Sequence, residues 1–526
     1  MEPSPPIQLE LSLYDLIKAT AEKAPPNSPI DESLFPKIGL MDGGISFAAG
    51  ALDALSSRFR NDGSEDEWEY LRNLFAEIEK GRIRNWKNLD ERIKGRAAQA
   101  TMDRVLESLN GTAVGRLHPS MFRELAQNSR NYEAVKWGIA IGALDANPEF
   151  VEDLLLFARH SEFTVHAIRA LLRSYSRIPE LKQKLLSLLP GSRGWGVIRL
   201  VEFLISIPAF TSDLSVQRDC LIYGMENNEG ISMEIAFTLA THIDSYHFLS
   251  LSKTDGGVFK SFSQMMNTLL TEPNPLGGLN DLANSEALFG SYVELLEVRA
   301  PDNYVLMGLR AADEFLNDSA TVWLGKEHLI QHVRLLLRNR ASIDVLRAGL
   351  KDSSTRWVAL KIIRENQVRS LVPDVEALFI EKPDSTNIDV LSELGELQHL
   401  QTMFVKISEL VNLSERSARP MSKINVVGLE HQNGFEYAGI VKTLGRLGTP
   451  EAILHLKRAF RDYDPLVRAA ACTAVIKMDR SKIDLEITGL IVERLDDSPK
   501  YVAEAALQTA NSLGISASDT SSGKPN

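Results

Sequence analysis

The chain has 526 residues, 44% hydrophobic and 24% charged, the proportions of ordinary folded protein in a length too great for one compact core. Lys and Arg number 58 against 70 Asp and Glu, and the formal net charge of -12 argues against wholesale electrostatic wrapping of nucleic acid while leaving room for a local basic face. Cys220 and Cys472 match no disulfide framework and no thiolate metal site, so they read as buried free thiols of a reducing compartment.

The opening Met1-Glu-Pro-Ser-Pro-Pro lacks the basic flank and apolar run of an export signal. Apolar stretches such as 151–158 and 197–207 are too short to cross a bilayer, which gives the expectation of a soluble, cytoplasmic protein without membrane insertion. From Leu11 to Leu513 apolar residues recur at spacings of three and four, as in Leu71, Leu74, Phe75 and Ile78. Alternating period-2 segments joined by Asn-Gly or Asp-Gly turns are missing, so the fold class is all-α, with roughly two dozen helices of 10–15 residues.

In chain order, residues 1–117 form an N-terminal helical region without a clean repeat, with a Pro-rich linker at 24–36 (Pro25, Pro26, Pro29, Pro36). Between Lys80 and Arg104 lie Arg82, Arg84, Lys87, Arg92, Lys94 and Arg96 with Trp86 interleaved, but five nearby acids dilute this basic stretch. Degenerate repeats are expected over 118–270, a loop at 271–284, further repeats over 285–514 and a mobile Ser-rich tail at 515–526.

The repeat is clearest over 430–514. The stretch from Thr449, TPEAILHLKRAFRDYDPLVRAAACTAVIKM, aligns with that from Asp484, DLEITGLIVERLDDSPKYVAEAALQTANSL, at about 35 residues. Each unit is a helix, a turn with Asp or Ser before Pro, and an alanine-rich second helix. Asp464 and Ser498 can N-cap the second helices, with Pro465 and Pro499 at the first helical position, where the missing N–H costs nothing.

Asp464-Pro-Leu-Val-Arg468-Ala-Ala-Ala471 followed by Ala474-Val475 resembles the HEAT-repeat family, particularly the HEAT-like repeats also found in phycobilisome lyases. The resemblance implies a curved, right-handed, armadillo-like α-solenoid of stacked helix pairs, with Arg468 in an Asp–Arg ladder between successive turns. Ser498 and Val502 depart from the pattern, so the ladder is expected to end before the last repeat. Degenerate copies follow at 160–172 and 351–363, and 133–144 gives another small-residue helix.

Motifs of chemistry are weak. His328 and His332 stand four apart beside Glu327 but lack the His-Glu-x-x-His order and a third ligand, so no metal is expected. Gly191-Ser-Arg-Gly-Trp-Gly196 follows a helical segment rather than a strand and reads as a helix–helix turn; 41–44 reads likewise as a turn. With no nucleophile elbow, no P-loop and no catalytic cysteine context, the expectation is a non-enzyme without a cofactor.

Two stripes remain. His166, Arg169 and Arg173 follow at i, i+3, i+7, and Trp357, Lys361 and Arg364 at i, i+4, i+7. If second helices line the concave surface, as the resemblance implies, these six residues give that face a basic and aromatic character. The expected function is therefore a scaffold binding a protein partner there. The alternatives are a nucleic-acid-binding solenoid, disfavoured by the net charge, and an accessory or lyase-type enzyme related to the HEAT-like lyases.

Overall fold

A computed structural model of the chain describes residues 11–25, 28–36, 38–39, 46–51, 53, 65–93, 102, 104–107, 117–176, 178, 180–271, 277–299, 302–318, 321–353, 355–422 and 433–515. Among these residues the fold is all-α, with 29 α-helices; the one β element is the antiparallel pairing of Ile38–Gly39 with Ser46–Phe47. None of the helices is long and apolar enough to cross a membrane. The expected turn at 41–44, most of the tail and part of the 271–284 loop lie outside the described residues.

The helices start where short polar side chains can satisfy the first free N–H groups. Ser12, Asn131, Asp213, Asp384 and Asp484 each accept from a backbone N–H of the following turn. The chain divides into two compact units, Met1–Arg299 with Glu314–Leu324, and Ala300–Asp313 with Gly325–Asn526.

In the first unit, the helix Glu65–Glu79 buries the face formed by Leu71, Leu74, Phe75 and Ile78, the spacing seen in the sequence. That face shares one core with Phe122 and Leu125 of the helix Pro119–Asn128 and with Trp137 of Tyr132–Gly142. A boundary at 117/118 therefore runs through continuous packing. The Pro-rich stretch is also anchored: Ile30 and Phe35 are buried, Arg159 donates to the Ser28 carbonyl, and the Tyr132 hydroxyl donates to the Pro36 carbonyl. Ile30 and Phe35 give a proline-stiffened segment something to bury, while Leu34 stays exposed. The glycine-containing stretch at 191–196 is a helix–helix turn as expected, with Leu189–Gly191 as a 3-10 turn and the helix Gly194–Ser206 following.

In the second unit, five helices pack side by side in chain order: Arg356–Glu365, Ser385–Leu394, Gly434–Leu447, Pro465–Ile476 and Lys500–Leu513 each lie against the next, with three shorter helices intervening between the second and the third. Alanines and glycines allow the close approach. A Cβ on Gly445 would collide with the Ala474 carbonyl, so the Gly434–Leu447 helix can lie this close only without a side chain there. Asp464 caps Pro465–Ile476, its carboxylate accepting from Leu466 N at 2.9 Å. Ser498 makes no such cap; the last helix begins at Lys500 with Pro499 in the cap position.

The ladder expectation requires correction. Arg416 forms a buried fork on Asp462, with Nε to Oδ2 at 3.0 Å and Nη2 to Oδ1 at 2.7 Å. Arg468 makes the same fork on Asp497 of the last turn, at 2.9 and 2.8 Å. The series thus reaches the final helix pair, because Asp497, one residue before Ser498, supplies the carboxylate.

Candidate functional site

The most concentrated chemistry in the first unit is a buried charge cluster around Lys136. This lysine sits in the apolar helix Tyr132–Gly142 and is only 1% exposed. Its Nζ lies 2.5 Å from Glu162 Oε1, 2.8 Å from Glu133 Oε1 and 2.9 Å from Asp53 Oδ2. The second Glu162 oxygen accepts from Gly50 N at 2.6 Å. Gly50 has a φ of +78°, and a Cβ there would stand 2.6 Å from the Ser161 carbonyl, so glycine is required on both counts. His166 Nε2 lies 3.0 Å from Asp53 Oδ2.

Burial tends to raise the Asp53 carboxyl, but the hydrogen bond with His166 and the charge of Lys136 hold it well below the usual carboxylate range. For Glu162 burial wins over Lys136, and its carboxyl is pushed up. Burial opposes the charged form of Lys136, yet Glu162, Asp53 and Glu133 together raise its pKa. The ammonium ties together three acids that would otherwise repel one another. His166 Nδ1, on the far side of the ring from Asp53, is buried and has no hydrogen-bond partner among the described residues. Neighbouring His160 is held neutral, its pKa lowered to about 3 by burial and by the charges of Arg193 and Lys136.

A cavity of about 400 Å³ adjoins this cluster. One wall is the helix Thr164–Ser174, which contributes His166, Arg169, Arg173 and Ser174. The apolar part of its described lining is Met102, Leu106, Ala140, Ala170, Leu172 and Phe203. A smaller cavity of about 170 Å³ shares Arg169 and Phe203 and is also lined by Asp53, Arg199 and Glu202. The first predicted stripe therefore lines a cavity. His166 is buried in it, Arg169 is half-buried, and Arg173 is exposed and donates to the Leu106 carbonyl at 3.1 Å.

The second stripe lies on the helix Arg356–Glu365 of the other unit. Trp357 is 58% exposed. Lys361 lies 3.8 Å from Glu365, and Arg364 lies 3.2 Å from Asp389 and 3.9 Å from Glu393, so acids already balance the basic character.

Among the other candidates, the His328 and His332 rings are 6.3 Å apart, and among the described residues no group of three His, Cys, Asp or Glu could hold a metal ion. In the Lys80–Arg104 stretch, Arg92 pairs with Glu77 and Arg104 forks onto Glu65. Cys220 and Cys472 are buried free thiols, as expected, and burial pushes both up to about 12.

Sequence reading missed Lys136, Asp53, Glu133 and Glu162. One signal was available: Lys136 is the lone cation in a helix otherwise built of apolar and small residues, with Glu133 one turn before it. Nothing local points from Asp53 to a lysine more than eighty residues away. No protein-family model matches the chain, and no match is found among curated proteins.

Proposed function

We propose that the chain is a HEAT-like helical-repeat scaffold that binds a protein partner in the cytoplasm and carries out no catalysis of its own. The observation carrying this reading is the row of five side-by-side helices in the second unit, braced in its turns by the buried Arg416–Asp462 and Arg468–Asp497 forks. Such a row turns consecutive helices into one stiff surface, which lowers the ordering cost when a partner docks along it.

Trp357, on the first helix of that row, is the proposed anchor. A half-exposed indole on a rigid helix is the kind of side chain that dominates binding energy at protein interfaces. Lys361 and Arg364 with their acids form a polar rim that sets register more than affinity. The same pairing weighs against a nucleic-acid partner, because phosphates would have to displace Glu365, Asp389 and Glu393 in a chain of net charge -12.

The test is a pull-down with the full chain from nuclease-treated lysate of the source organism, run beside the Trp357→Ser variant. The expected result is a stoichiometric protein retained by the wild type and lost by the variant at unchanged thermal stability. Retention of nucleic acid alone, in an untreated lysate and with steep salt dependence, would overturn the reading.

A further inference from the structure

The cavity of the first unit is a binding site in its own right, independent of the scaffold reading. Its volume of about 400 Å³ falls within the range of small-molecule pockets, roughly 300–1,000 Å³, and is well over twice the ~150 Å³ that accommodates a benzene ring. Ala140 and Ala170 are the small residues of its wall, and both are buried. Around them Leu106, Leu172 and Phe203 are large apolar side chains that stay only half-buried, while Met102 is buried. Side chains of this kind converging on one hollow leave apolar surface that a ligand would remove from water.

Charge decides the class of ligand. The described lining contains no carboxylate, so a cation finds no counter-ion there and meets two guanidiniums. An anion is no better served: Arg169 and Arg173 are both already engaged within the protein, Arg173 in part by the Leu106 carbonyl at 3.1 Å. A neutral molecule is what remains. Shape narrows the class further. A guanidinium whose N–H edges are bonded keeps its flat faces, which stack on aromatic rings better than on alkyl chains. Phe203 and the Met102 thioether favour the same kind of ligand, through ring–ring and sulfur–ring contact.

We propose that this cavity binds a small neutral aromatic molecule of two fused rings, packed against Met102, Leu172 and Phe203, with the two arginines serving as flat walls and not as counter-ions. Burial of the rings supplies the affinity, and the stacking surfaces select flat molecules over puckered ones of the same size.

Isothermal titration calorimetry of the full chain at neutral pH with 2-naphthol, decahydro-2-naphthol and 2-naphthoate tests this, because the three share a fused two-ring skeleton and differ in aromaticity or charge. 2-Naphthol is expected to bind saturably at one site, at least tenfold more tightly than 2-naphthoate and at least threefold more tightly than decahydro-2-naphthol. Ala170→Leu fills the hollow and should weaken 2-naphthol at least tenfold. Phe203→Leu, at a half-buried position, should weaken it at least threefold and reduce its advantage over decahydro-2-naphthol. Circular dichroism confirms that each variant is folded, and Phe203→Leu keeps the test valid should Ala170→Leu not fold. No saturable binding of 2-naphthol overturns the proposal. So does 2-naphthoate or decahydro-2-naphthol binding as tightly, or 2-naphthol binding unaltered in the folded Phe203→Leu variant.

Discussion

Arg468 grips Asp497 through two parallel hydrogen bonds, Nε to Oδ2 at 2.9 Å and Nη2 to Oδ1 at 2.8 Å, across 29 residues of sequence. The same guanidinium donates to the carbonyls of Asp462, Tyr463 and Ser422, so one side chain satisfies two successive turns and a segment packed beside them. Both charged groups are buried, and Asp497 accepts from Arg494 as well, at 3.1 Å.

Arg468→Met is accordingly expected to destabilise the second unit by about 2–3 kcal/mol, less than the usual cost of orphaning one half of a buried pair, because Arg494 still faces Asp497. Arg468→Lys keeps the charge but cannot fork, and should recover less than half of the loss. Urea denaturation followed by circular dichroism measures both; equal stability of the lysine variant and the wild type would show that charge alone matters.

Asp464 caps the helix Pro465–Ile476 and also lies 3.8 Å from Arg416. Asp464→Ala should lose about 1–2 kcal/mol, the upper part of the range for cap removal, because the position is buried. Asp464→Asn keeps the cap acceptor and should lose less. If the two variants are equally unstable, the loss comes from the charge near Arg416 and not from the cap.

His160 gives a pH dependence of definite sign. Its folded pKa of about 3 lies below the ordinary 6.5, so between these values the unfolded chain binds a proton that the native protein does not. Stability from this group is therefore complete above about pH 6.5 and declines as pH falls toward 3. His160→Gln should flatten the slope of stability against pH from 6.5 to 4.5. An unchanged slope in that variant would assign the acid sensitivity to other groups.

Cys220 and Cys472 should resist alkylation in the native protein, since burial raises both thiols to about 12 and leaves almost no thiolate at neutral pH. Mass spectrometry after iodoacetamide should show no adduct in buffer and two in urea. Adducts at native conditions would mean that the helices around these residues open readily.

Substitution at Trp357 separates binding from folding. A side chain 58% exposed contributes little packing, so Trp357→Ser should shift the melting temperature by no more than about 2 °C. A much larger shift would make the indole a structural residue and remove it as an anchor.

Helical periodicity and turn chemistry made much of this legible in the sequence. Leu71, Leu74, Phe75 and Ile78 are buried together, and Asp464-Pro465 starts its helix as the residue types dictate, because both signals are local. Ser498-Pro499 failed as the matching cap since the last helix starts one residue later, and the ladder acid proved to be Asp497. The stripe of His166, Arg169 and Arg173 was visible as a pattern, but its environment was not. Periodicity shows that residues share a helix face; whether that face meets solvent, a cavity or a buried acid depends on segments far away in sequence. Asp53 against His166, 113 residues apart, is such a case.

The latch on Lys136 also constrains how the protein can be made. Gly50 and Glu162, joined by a backbone hydrogen bond, are separated by 112 residues. At ribosomal speeds of about 5–20 residues per second, Gly50 is synthesised roughly 5–20 s before its acceptor exists. Asp53 likewise waits for Lys136 and then His166 to be made before either can hold it, and until then it must remain hydrated. Gly50 and Asp53 thus cannot settle onto the body of the first unit until Lys136, Glu162 and His166 have been made. The nascent chain spends that time with this stretch undocked, a window in which a chaperone could hold it before Asp53 finds its buried place.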